Sequence, residues 1–103
     1  MAPRIYQSQY PPIDVPTNLS VSQFLLKYNP DDTPDSKTIL CELDDPTRSI
    51  TYGGIRLTAA RGAAGLKAVL KMNDGDTVCL LAENSVNWAV LAHSIVWAGG
   101  CFR

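Results

Sequence analysis

Two adjacent segments constrain the fold of this chain more than any others. Thr77-Val78-Cys79-Leu80-Leu81-Ala82 carries no charge and alternates with no polar face, the pattern of a strand buried on both sides of a sheet. Val86 to Ala98, which Asn84 or Ser85 can cap, is apolar almost all round a helical projection. Both elements need neighbours on more than one side. In a chain of 103 residues, a sheet of two or three strands leaves them poorly covered. The pattern is therefore that of a piece cut from a larger α/β domain.

The remaining segments support the same class. Gly53 to about Met72 reads as the longest helix, with Ile55, Ala59, Gly62, Leu66 and Val69 along one side. Gly62 and Gly65 weaken it by about 1 kcal/mol each relative to alanine, and close approach of another backbone is the expected return. Asn73-Asp74-Gly75-Asp76 turns the chain into the apolar strand. Thr38–Leu43, with Ile39, Cys41 and Leu43 on one face, and Arg48–Tyr52 read as a β-hairpin across the turn Asp44-Asp45-Pro46-Thr47. Strand, helix, buried strand and helix then follow one another as in a βαβα unit with a parallel pairing.

Nearer the N-terminus, Ser20 and Gln23 form a capping box, and Leu19 can staple onto Phe24, for a helix ending before Asn29-Pro30. Residues 1–17 hold four of the seven prolines, Pro3, Pro11, Pro12 and Pro16. Proline fixes φ and removes a donor, so this stretch is expected to be an extended arm laid over something else through Ile5, Tyr6, Tyr10, Ile13 and Val15. Residues 18–103 are expected to form one incomplete subdomain.

Charge and cysteine usage exclude several functions. Nine basic against ten acidic residues give a net charge of −1, with no basic block to favour nucleic acid or an anionic membrane. Arg56, Lys67 and Lys71 fall within one helical arc and read as a solvated face. The apolar run Val86–Ala98 is interrupted by Asn87, His93 and Ser94 and is shorter than the ~20 residues of a membrane span. No secretory signal precedes it. Cys41, Cys79 and Cys101 lack the paired spacing of zinc ligands. Cys41 and Cys79 sit in apolar runs and are expected to be small core residues in a reducing compartment.

No catalytic constellation emerges. His93 is the single histidine, and no carboxylate lies three or four residues from it, so it reads as structural. Neither Cys79 nor Cys101 is spaced to suggest a pair with it. The glycine pairs Gly53-Gly54 and Gly99-Gly100, and the Gly62–Gly65 stretch, lack the Lys-Ser or Lys-Thr of a phosphate loop and the strand of a dinucleotide fingerprint. Asp31, Asp32 and Asp35 lack the glycine and terminal glutamate of a calcium loop. Asp44 and Asp45 are turn formers, and Trp88 and Trp97 are expected in a core.

From Arg48 onward the order of motifs is more specific than any one of them. Arg48-Ser49-Ile50-Thr51-Tyr52, then Ala63-Ala64-Gly65-Leu66, Gly75-Asp76-Thr77-Val78-Cys79-Leu80-Leu81, Asn84, Trp88 and Ala98-Gly99-Gly100 resemble the N-terminal part of the adenylate-forming (AMP-dependent synthetase/ligase) superfamily. Ile5-Tyr6, Tyr10-Pro11-Pro12 and the Leu19–Leu26 helix resemble its 4-coumarate–CoA ligase-like members. The resemblance implies a parent reaction in two steps. A carboxylate attacks the α-phosphate of ATP with Mg²⁺ to give an acyl-adenylate, and the thiol of CoA then displaces AMP. The family's phosphate loop, aromatic-Thr-Glu motif, ribose-binding aspartate and catalytic lysine have no counterpart here. No catalytic, cofactor-binding or metal residue can therefore be assigned to any position. Glu83-Asn84 also replaces a common Pro-Asn, and Lys71-Met72-Asn73 occupies a loop that usually holds a glycine.

The implied role is a truncated acid–CoA ligase, inert alone, whose partner is the rest of the ligase core. ATP, Mg²⁺ and CoA belong to the full-length family, not to this segment. The alternatives are a short non-catalytic α/β binding or interaction module, with self-association through exposed apolar faces, and an unrelated small nucleotide-binding α/β protein. An intracellular location is expected, cytoplasmic or peroxisomal, although the peroxisomal address of many relatives is not present in this chain.

Overall fold

A computed structural model describes residues 2–103 of the chain. Three helices, α1 (Val21–Leu26), α2 (Tyr52–Val69) and α3 (Val86–Trp97), are joined by four short strands. These are β1 (Thr38–Cys41), β2 (Ser49–Thr51), β3 (Thr77–Val78) and β4 (Cys101–Phe102). The architecture is a small mixed domain with two separate two-stranded sheets, compatible with the α/β class.

Local chemistry places each helix start where the sequence predicts it. The Ser20 hydroxyl accepts from the Gln23 amide at 3.2 Å, and the Gln23 side chain accepts from the Ser20 amide at 2.8 Å, closing the capping box of α1. Thr51 caps α2 through the Gly54 amide, and Ser85, rather than Asn84, caps α3 through the Trp88 amide. Phe24 stacks on Tyr28 with ring centres 5.6 Å apart. Gly75, at φ +85°, makes the turn into β3, a conformation that suits a residue without Cβ.

The core sits between α2 and α3 in two clusters. Leu26, Ile55 and Ala59 form one, with Ile50 and Val90 against it. Ala63, Leu66, Met72, Ile95 and Ala98 form the other, with Val78 and Leu80 against it. Trp97 packs on both and links them, as its expected core position requires. At the crossing, a Cβ added to Gly62 would lie 2.8 Å from the Ser94 Cβ, so the absence of a side chain there lets the helices approach. Gly65 has no atom within 4 Å of that position, and the expected close approach does not exist there.

Several further expectations are corrected. The strands flanking α2 do not pair: β2 joins β1 antiparallel, while the parallel pair is β3 with β4, across α3. The run from Thr77 to Ala82 is not buried on both faces. Val78 and Leu80 pack on the core, but Thr77, Cys79 and Leu81 face outward, and Leu81 is 98% exposed. The core cluster of α2 and α3 meets this run only through Val78 and Leu80.

The hairpin also departs from simple alternation. A bulge falls between Thr38 and Leu40, and all of β1 is exposed, with no second layer against it. Cys41 and Cys79 are consequently exposed, not core residues, and Cys101 is exposed too. Residues 2–17 contain no helix or strand, and Ile5, Tyr6, Tyr10, Ile13 and Val15 are all exposed, so the arm covers none of the chain's own core. Among the described residues, no helix is long and apolar enough to cross a membrane.

Candidate functional site

A concavity of ≈ 960 Å³ lies between the outer end of the hairpin and the start of α3. Leu40, Leu43, Val86, Trp88 and Ala89 give it apolar walls, and Glu42, Asp44, Asp45, Arg48 and Glu83 give it charge. Its organising residue is Glu42. One carboxylate oxygen is 3.3 Å from an Arg48 guanidinium nitrogen, and the other accepts from the Val86 amide at 3.4 Å. A carboxylate at the first turn of α3 meets the positive end of the helix dipole, so Glu42 pins the hairpin to the helix.

These groups do not form an acid–base pair. General catalysis by two carboxylates needs environments that drive their protonation apart. Asp45 accepts from the Thr47 hydroxyl and the Thr47 amide, and these bonds hold its carboxyl below the ordinary range, so it stays ionised as a turn anchor. Glu42 is committed to Arg48 and Val86. His93 lies on α3 outside this cleft, half-buried, and burial lowers its pKa below the usual imidazole value.

A second cleft, ≈ 700 Å³, is lined by Lys27, Asp35, Gly53, Gly54, Arg56 and Trp97 among others. It holds two cations and a glycine pair at a helix start, the ingredients of a phosphate site. Their bonding leaves no room for that use. The Gly53 amide donates to the Asp35 carbonyl at 3.0 Å, and the Gly54 amide donates to the Thr51 hydroxyl at 3.0 Å. Arg56 grips both oxygens of Asp35 at 2.7 and 2.8 Å, donates to the Leu26 carbonyl, and lies 5.5 Å from the Tyr52 ring centre. Lys27 sits 5.3 Å from the Trp97 ring centre.

Arg56 thus ties α1, the loop after it and α2 together and departs from the solvated face expected of it, whereas Lys67 and Lys71 are exposed as expected. Lys67 pairs with Asp74 at 3.6 Å, and Lys71 lies beyond the end of α2 at φ +55°. Sequence inspection missed the Arg56–Asp35 pair because 21 positions separate the partners. Packing also fills the space beside two further glycines: Ser94 lies beside Gly62, and Met72 and Asp76 crowd Gly100. The Gly53 and Gly54 amides are already engaged within the chain. Among the described residues, no three metal-capable side chains gather.

No family model matches the chain. Curated proteins do resemble it. An acyl-CoA ligase of Aspergillus niger is 35% identical over 66 residues, 64% of this chain and 12% of the relative. 4-Coumarate–CoA ligase 4 of Arabidopsis thaliana is 31% identical over 97 residues, 92% of this chain and 17% of the relative. A nonribosomal peptide synthetase of Aspergillus oryzae is 43% identical over 53 residues, 52% of this chain and 3% of the relative. These likenesses support an adenylate-forming enzyme family. The chain spans less than a fifth of the length of each of these relatives.

Proposed function

We propose that this chain is the N-terminal part of an adenylate-forming acid–CoA ligase and serves it as scaffold. On this reading, residues 1–17 are an arm, residues 18–103 are an incomplete N-terminal subdomain, and the segment is inert alone. The observation that carries it is the likeness to 4-coumarate–CoA ligase 4, which runs over 92% of this chain and 17% of that protein. The uncovered outer face of β3 agrees with it, since a layer from elsewhere in a ligase would cover that face. The parent chemistry would be activation of a carboxylate with ATP and Mg²⁺, then transfer to CoA. This chain's own residues contribute packing to it, because the glycines and cations suited to phosphate are already engaged.

The test is a chimera in which this chain replaces the matching segment of 4-coumarate–CoA ligase 4. Retention of acid-dependent ATP–pyrophosphate exchange in the chimera, with none in the 103-residue chain alone, is the expected result. Exchange by the chain alone would overturn the scaffold role, and a folded but inactive chimera would count against the family assignment. Immunoblotting of the endogenous product, with peptides identified by mass spectrometry, addresses truncation separately. An abundant product near the 11.2 kDa of this chain would favour a short interaction module.

A further inference from the structure

The β1–β2 hairpin is fastened firmly at one end and lightly at the other. At its base, the Tyr52 amide donates to the Lys37 carbonyl at 2.9 Å and the Gly53 amide to the Asp35 carbonyl at 3.0 Å. Arg56 holds the same Asp35 through both carboxylate oxygens, at 2.7 and 2.8 Å, a charge-assisted contact of full strength. Ile50 packs beside it against the cluster of Leu26, Ile55 and Ala59.

At the other end a single polar contact reaches across to α3. The Val86 amide is the first of that helix and has no carbonyl partner within it. It donates to Glu42 at 3.4 Å, beyond the ~2.7–3.2 Å of an ordinary N–H···O bond. Arg48, 3.3 Å from the other carboxylate oxygen, belongs to the hairpin itself, so it aims Glu42 without adding a second tie. Among the described residues, no other hydrogen bond or ion pair joins residues 38–49 to α3 or to residues 77–85 before it. The two sheets are separate, and the ≈ 960 Å³ cleft, with Trp88 and Ala89 in its wall, lies between the hairpin and α3.

We propose that the hairpin is a flap over this cleft, hinged where Asp35 and Lys37 bond to Gly53 and Tyr52, and latched by Glu42 on the Val86 amide. Elements that open locally are those held by few interactions, and the latch is the weaker of the two attachments. The flap swings as a unit. Its ladder, which includes the Glu42 amide on the Arg48 carbonyl at 3.0 Å, lies wholly within it and survives the motion. Release of one side chain therefore widens the cleft and bares its α3 wall while the base stays folded. The proposal concerns a joint between two parts of this chain and not the ligase reading, so either can fail without the other.

The test is a nitroxide label at the free end of the flap, read by NMR. Leu43 is 94% exposed, so Leu43→Cys accepts the label without disturbing packing. Cys41→Ser, Cys79→Ser and Cys101→Ser leave it as the one labelled position. With Glu42 in place, the label should broaden the amides of Val86, Asn87 and Trp88. Glu42→Ala should remove most of that broadening, leave the broadening of Arg48 within the flap unchanged, and leave hydrogen exchange of the Tyr52 and Gly53 amides as slow as before. Glu42→Gln keeps an acceptor for Val86 but no charge for Arg48, and should lose part of the broadening; it also serves if Glu42→Ala does not fold. No broadening of α3 with Glu42 present would overturn the proposal, since the flap would not be closed. So would undiminished broadening in both variants, because the hairpin would then stay in place without its latch. Faster exchange of Tyr52 and Gly53 alongside the lost broadening would also overturn it, since the hairpin would be melting from its base and not swinging.

Discussion

Gly62 and Gly65 lie one turn apart on α2 and carry opposite expectations. A methyl group at Gly62 meets Ser94, whose hydroxyl is held by its 2.7 Å bond to the Val90 carbonyl and cannot simply swing away. Overpacking of this kind costs about 1–3 kcal/mol, so Gly62→Ala should lower stability despite the better helix propensity of alanine. Gly65 faces open space, and Gly65→Ala should raise stability by up to about 1 kcal/mol. Urea denaturation of both variants decides the matter, and a Gly62→Ala protein more stable than Gly65→Ala would contradict the packing described. Two helical glycines are legible in the sequence but not their difference, because it lies in Ser94, 32 positions beyond Gly62.

His93 allows a second test at the same scale. Burial lowers its folded pKa below the unfolded value near 6.5, and no carboxylate stands by to offset this. The neutral imidazole is the form the fold accepts. The contribution is fully present above the unfolded value and is lost as pH falls from there through the folded value. Thermal midpoints should therefore drop between pH 7.5 and 5.5, where carboxylates stay largely ionised, and His93→Gln should flatten that slope. An unchanged slope in the variant would place the pH dependence elsewhere.

Among the elements, α1 is the one most dependent on its cap. Six residues are far fewer than the ~12–15 needed for a helix to persist by propensity. Leu26, which α1 buries against Ile55 and Ala59, is its main tertiary anchor. Ser20→Ala removes one arm of the capping box and should cost about 1 kcal/mol, with Ser20→Asp restoring most of it. Equal stabilities for all three proteins would mean that packing alone holds the helix. The caps of α1 and α3 and the hairpin were legible in sequence because neighbouring residues determine them, whereas the Thr51 cap of α2 and its end at Val69 rather than about Met72 were not. Strand pairing was not. The order of elements suggested a parallel pair across α2, whereas pairing depends on which strands the α2–α3 packing brings together, and that packing turns on Gly62 and Trp97. Of the candidate site, the individual side chains were legible but not their pairings. Neither the Glu42 pin, 44 positions from Val86, nor the Arg56–Asp35 pair leaves a local signal.

At the scale of the whole molecule, surface area is the deciding quantity. A compact monomer of 11.2 kDa exposes about 5,700 Å² by the usual mass scaling, whereas this chain exposes 8267 Å². Its radius of gyration, 17.0 Å, likewise exceeds the ~13 Å of a compact domain of this length. The excess comes from the arm of residues 2–17 and from apolar groups without a second layer, Leu43, Val69, Leu70 and Leu81 among them. Cys79 and Leu81, just after β3, are exposed on the outer side of that run. The chain should therefore bind ANS with enhanced fluorescence at neutral pH without denaturant. Iodoacetamide should alkylate Cys41, Cys79 and Cys101 in the folded protein at rates near those of the unfolded chain. In the chimera with 4-coumarate–CoA ligase 4, a covering layer should suppress the ANS signal and slow alkylation of Cys79. Equal dye binding and equal Cys79 reactivity in both settings would mean that the outer face of β3 is solvent surface in the ligase as well, and the scaffold role would lose the packing on which it depends.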